Sequence, residues 1–167
     1  MPLPHTRFTI LLGVAGALVA ACGGAPSPSS PTPTPLTPAQ IQARYAAAAL
    51  RYNQGEAQIA ATENTSCDPI SATAVLAACQ MALSSQRQLT IAYDNALRSI
   101  PFSGAAATNA AHLLGDDAAI EKLLEQAATA PAIAVIATLQ QQVIPLLATA
   151  ATDATGLRAA IGLPAPA

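Results

Sequence analysis

The chain has 167 residues and a formal net charge of −2, with 52% hydrophobic but only 3% aromatic residues. That length suits one domain with a modest core. Seven basic residues against nine acidic ones leave no basic stripe, which argues against nucleic acid and against electrostatic capture by anionic lipid. Alanine, the best helix former, fills 42 positions, and alternating strand formers are absent. The expected fold class is therefore all-α, an antiparallel, alanine-rich, up-down four-helix bundle.

The first stretch reads as an address. Arg7 supplies a short basic region, Phe8 to Ala21 form an apolar run, and Val19-Ala20-Ala21-Cys22 end it. The run is shorter than the roughly 20 residues a membrane-spanning helix requires, so a removed signal is expected rather than a retained anchor helix. Small or β-branched residues precede Cys22, and Gly23-Gly24 follow it, leaving the peptide bond accessible. This stretch resembles the signal peptides of bacterial lipoproteins. The resemblance covers residues 1–24 only. It implies cleavage before Cys22, a thioether diacylglycerol on Cys22 and acylation of the new N-terminus. More than one acyl chain would hold the protein stably at a membrane. The competing reading is an ordinary secretory signal with an incidental cysteine. The domain plan is thus a signal at 1–21, a lipidated Cys22 and linker over 22–37, a helical domain at 38–163 and a tail at 164–167.

From Ala25 to Pro38 the residues are mostly Pro, Ser and Thr. Such a segment favours extended polyproline geometry and buries nothing, so it reads as a spacer. The first helix is expected from Pro38 to about Glu63. Thr37 is a good N-cap, Pro38 fits the first helical position, Gln40 completes a capping box, and Leu36 and Ile41 are placed for a hydrophobic staple. Ile41, Tyr45, Ala48, Tyr52, Gly55 and Ile59 share one face of it.

Asp68-Pro69 offers a second start signal, which predicts a second helix from about Ile70 to Ser99. Its seam runs through Leu76, Cys79, Leu83, Gln86, Thr90, Tyr93, Leu97 and Ile100, with Gln86 as a polar register setter. Once Cys22 carries lipid, Cys67 and Cys79 remain as an even pair in an oxidising compartment, so a disulfide is expected. Two buried free thiols are the alternative. The third helix is expected over Ala105 to Ala128, with Gly115 as a site for a bend or split. The fourth opens at Pro131 and runs to Ile161, kinked at Pro145. No charge occurs from Gln126 to Thr152. Because Gln140-Gln141-Gln142 and Pro145 interrupt that stretch, a buried central bundle helix is expected instead of a membrane span.

No residue set points to catalysis, and no enzyme is expected. His112, Asp116, Asp117, Glu121 and Glu125 form the one cluster a metal or acid–base site could use. The sequence has no E-x-x-H for a di-metal bundle, so a solvated acidic face is the expected reading. No nucleophile elbow, phosphate loop or haem attachment motif is present, and no cofactor is expected. Two functions are in view. One is an extracytoplasmic, lipid-anchored interaction or structural module whose partner is another envelope protein. The other is a binding module holding an apolar ligand or cofactor between its helices, with Tyr45, Tyr52, Tyr93 and Phe102 as contacts. A cavity beside the tyrosines would discriminate between them.

Overall fold

A computed structural model describes residues 35–68, 70 and 74–164. Four α-helices follow one another: α1 (Pro38–Ser66), α2 (Leu76–Arg98), α3 (Gly104–Ala128) and α4 (Ile133–Ala160). No strand occurs among the described residues. The fold is the expected all-α, up-down bundle. The expected signal, Cys22 and most of the expected linker lie outside the described residues.

The capping signals at Thr37 act as their chemistry requires. The Thr37 hydroxyl accepts from the Gln40 amide (3.3 Å), and Gln40 Oε1 accepts from the Thr37 amide (2.8 Å). Two N-terminal donors of α1 are satisfied in this way. At the far end of the domain, Gly162 adopts φ +78° and stops α4. The Leu163 amide donates to Arg158 O (2.8 Å) and the Gly162 amide to Ala159 O (3.0 Å), closing a Schellman motif.

The second helix starts later than Asp68-Pro69 suggests. Asp68 Oδ1 accepts from the Ile70 amide (3.0 Å), so its side chain shapes a turn and caps no helix. The Val75 amide donates back to Ser66 O (3.2 Å), and α2 begins only at Leu76. Cys67 therefore caps the C-terminus of α1, while Cys79 lies in the first turn of α2 rather than more than two turns inside it. The two cysteines sit at disulfide-bonding distance with Cα atoms 4.9 Å apart, and both are buried.

Close packing runs from α1 to α2, from α2 to α3 and most extensively from α3 to α4. At Gly55 a Leu89 side chain from α2 packs directly against the α1 backbone. A Cβ placed there would come within 2.6 Å of the Leu89 methyl carbons. The expected seam of α2 is largely inside, with Cys79, Leu83, Thr90, Leu97 and Ile100 buried. Helix α3 is continuous across Gly115, because a single glycine costs only about 1 kcal/mol in a helix held by Leu113, Ile120 and Leu124.

Helix α4 departs from the expectation of a buried central helix. It is one continuous helix through Pro145, yet only 17% of its most apolar 18-residue window is buried. It packs chiefly on α3 and forms an outer edge of the bundle. Ile136, Val143, Ala150 and Leu157 make its buried stripe, whereas Val135, Ile144 and Leu147 are exposed. Alanine explains the misreading. It raises hydropathy on every side of a helix without supplying enough area to require burial.

Candidate functional site

The outer helices α1 and α4 are joined at one end, where Gln42 Nε2 donates to Ile161 O (2.6 Å). Beyond that fastening a groove of about 360 Å³ opens between them. Tyr45, Ala49, Tyr52 and Asn53 line it from α1, and Leu147, Ala150 and Arg158 from α4. Tyr93 of α2 and Leu113 and Asp117 of α3 form its floor. All three tyrosines of the chain thus reach one groove. The spacing of Tyr45 and Tyr52, seven residues apart, puts them on one face of α1. Tyr93 joins them because α2 packs against that face.

The Tyr52 and Tyr93 rings lie 5.0 Å apart at an interplanar angle of 42°. That is a tilted aromatic pair of the kind that adds stability beyond simple burial. The same two rings border a second groove of about 400 Å³ between α1 and α2, rimmed by Arg44 and Arg51. Burial pushes the phenols of both residues well above their ordinary range, with Glu56 adding to the effect at Tyr52 and Tyr45 at Tyr93. The Tyr52 and Tyr93 hydroxyls therefore act as neutral hydrogen-bonding groups.

Phe102 does not join the tyrosines. It follows α2 in the turn to α3 and lines a separate recess with Pro38, Ile41, Ala160 and Ile161. Its place past the end of α2 puts it at the end of the bundle, away from the groove between α1 and α4.

The acidic cluster divides in two. His112 and Glu125 are exposed, and Glu125 meets Arg87 across α2 and α3 at 3.5 Å. Asp116 faces α4, where Asp153 and burial raise its carboxyl above the ordinary range, burial being the larger cause. His112 Nδ1 lies 4.0 Å from the same Asp153. Asp117 contradicts the reading of a solvated acidic face, because it is only 7% exposed. It follows Leu113 by four residues and precedes Ile120 by three, so the buried stripe of α3 carries it inward. Among the described residues no three His, Cys, Asp or Glu side chains are placed to hold a metal ion.

Inside the bundle Asp117 meets Asp94 of α2, which is fully buried. Burial raises both carboxyls above their ordinary range, and the neighbouring Asp94 adds to the rise at Asp117. Arg98 Nη2 donates to Asp94 Oδ2 at 2.9 Å and favours its charged form, but burial is the larger effect and raises that carboxyl overall. Burial, then the contact with Asp94, pushes the Asp117 carboxyl up to about 8. Asp94 Oδ1 and Asp117 Oδ2 are buried and take no hydrogen bond from an N–H or hydroxyl donor.

No family model matches the chain, and no curated protein or solved structure matches it. The groove and its buried acid pair are therefore what the molecule itself offers as a site. Of the four ligand contacts expected from the sequence, Tyr45, Tyr52 and Tyr93 come together and Phe102 does not. Asp117, Asp94 and Arg158 complete the arrangement and were absent from that expectation.

Proposed function

We propose that this chain is a lipid-anchored, extracytoplasmic binding module that holds a small ligand with an apolar body in the groove between α1 and α4. The observation that carries the reading is the meeting of all three tyrosines with Leu113, Leu147 and the buried Asp117 around about 360 Å³ of space. Apolar walls with a few convergent polar groups are the usual makeup of a small-molecule site. Cys22 supplies the anchor in this reading, and the Pro/Ser/Thr segment holds the groove away from the membrane surface.

A second reading rests on a separate observation. Ile144 and Leu147, three residues apart on α4, leave an exposed apolar spot on one side of the helix, which supports an interaction module that docks another envelope protein. One experiment addresses both. The protein is captured from detergent-solubilised membranes and its companions are identified by mass spectrometry of small molecules and proteins. A small molecule lost from Tyr52→Ala supports the groove reading. A protein companion lost from Ile144→Asp and retained by Tyr52→Ala supports the docking reading. Recovery of neither from native membranes counts against both.

A further inference from the structure

We propose that the ligand of this groove is a carboxylate on an apolar body, with its acid group on Arg158 and its body laid between α1 and α4 toward Leu147. The proposal rests on the groove reading above and adds the chemical class of what enters.

Charge supplies the first argument. Among the residues that line the groove, Arg158 is the one cation and Asp117 the one acid. The two are not equivalent toward a guest. Asp117 is 7% exposed and its Oδ2 is closed to solvent, so a guest meets little of it. Burial also pushes its carboxyl up to about 8, which leaves it uncharged at neutral pH. Arg158 is half-buried, and a guanidinium keeps its charge at any working pH. Among the described residues it pairs with no carboxylate. The groove therefore offers a guest one accessible positive charge and no accessible negative one.

Geometry supplies the second argument. Arg158 Nε and Nη2 donate to Pro164 O at 3.0 and 2.8 Å, which fixes one edge of the guanidinium without neutralising it. The other edge, Nη1 with the second N–H of Nη2, hydrogen-bonds nothing among the described residues. Two parallel N–H groups of that kind match the two oxygens of a carboxylate. Leu147 stands eleven residues before Arg158 on α4, about 16 Å along a helix that rises 1.5 Å per residue. Ala150, Ala151 and Ala154 line that interval, with Ala49 on the α1 side. The helices do not close over these small side chains. They are fastened at Gln42 and Ile161, and α1 with α4 is not among the closely packed pairs.

The alternatives fit less well. An ammonium of the same shape would meet Arg158 with the like sign, and a phosphate dianion would call for a second cation that the lining does not hold. The rival place for an acid is the groove between α1 and α2, which has the exposed Arg44 and Arg51 on its rim. Arg158 does not line that groove, so its removal separates the two.

The test is equilibrium dialysis of the mature, membrane-extracted protein in a nonionic detergent, with empty micelles dialysed in parallel. The probes are octanoate, 1-octanol and octylammonium, which share one chain and differ in charge. Near neutral pH, octanoate is expected to bind about tenfold more tightly than 1-octanol, and octylammonium more weakly than either. Arg158→Gln is expected to bring octanoate down to the level of 1-octanol and to leave 1-octanol itself unchanged, which reports an intact groove. Arg158→Lys, which keeps the charge, is expected to keep part of the preference. Equal binding of octanoate and 1-octanol to the wild type, or a preference for octylammonium, overturns the acid assignment and leaves the groove reading standing. A preference unchanged in Arg158→Gln overturns the role of Arg158 and moves the acid to the groove of Arg44 and Arg51. No uptake of any probe above the empty micelles overturns the acid assignment and the groove reading together.

Discussion

Arg98 Nη2 donates to Asp94 Oδ2 at 2.9 Å, while Asp94 of α2 and its neighbour Asp117 of α3 are 0% and 7% exposed inside the bundle. Two carboxylates cannot both stay charged at such a place, so the pair keeps a proton that the unfolded chain would release. The pair marks a point where the fold sacrifices stability at high pH.

The pH dependence follows from the direction of the shift. Asp117 is raised to about 8 in the folded protein, against about 3.9 in an unfolded chain. Between those values the native state binds more protons than the unfolded state, so stability falls as pH rises and the loss is complete above about pH 8. Thermal unfolding is expected at a higher temperature near pH 5 than near pH 9. Asp117→Asn should flatten most of that slope. A melting temperature that rises from pH 5 to pH 9 would show that the pair is not protonated in the fold.

The Cys67–Cys79 pair joins the end of α1 to the first turn of α2 across a sequence separation of 12. Closing a loop of that size contributes about 2–3 kcal/mol in the chain-entropy treatment. For a bundle built largely of alanine this is a substantial share of a total of about 5–15 kcal/mol. Thiol titration of the denatured, unreduced mature protein should find neither Cys67 nor Cys79 free, and reduction should lower the denaturant midpoint.

Gly115 lies on an exposed part of α3, and a Cβ placed there meets nothing within 4 Å. Gly115→Ala should therefore stabilise the domain by about 0.5–1 kcal/mol through helix propensity and a less flexible unfolded chain. Gly55 is the contrasting case, because Leu89 occupies the space its side chain would take. Gly55→Leu should destabilise by about 1–3 kcal/mol, as overpacking usually does. Urea denaturation of the two variants checks both signs.

Cys22→Ser should abolish lipid attachment and signal removal, leaving the unprocessed precursor. Mass spectrometry of the wild-type N-terminus is the check. A mature chain that begins at Cys22 without added lipid mass would count against the anchor.

How much of this was legible in the residues depends on the kind of signal. Thr37, Pro38 and Gln40 announce the start of α1 by local chemistry alone, and the α2 seam from Leu83 to Leu97 follows from spacing. The groove is only half legible. Tyr45 and Tyr52 share a face by periodicity, but Tyr93 reaches them through packing between helices, which no local pattern states. Asp117 was misread because charge was weighed ahead of period: Leu113, Asp117, Ile120 and Leu124 form one continuous stripe. Asp94 repeats the lesson between Thr90 and Leu97. For α4 the apolar composition predicts burial, but alanine side chains supply too little area to require it.

The bundle is fastened unevenly. The hairpin of α1 and α2 is stapled at Cys67 and Cys79, whereas α4 packs on α3 and is tied to α1 by the hydrogen bond from Gln42 to Ile161. Local opening follows the weakest attachment, so amide exchange should be fastest along the half of α4 remote from Ile161, while the stapled hairpin exchanges last. The groove is lined from α4 by Leu147, Ala150 and Arg158, all in the half beside Ile161, so its walls stay with the fastened end while the remote half opens.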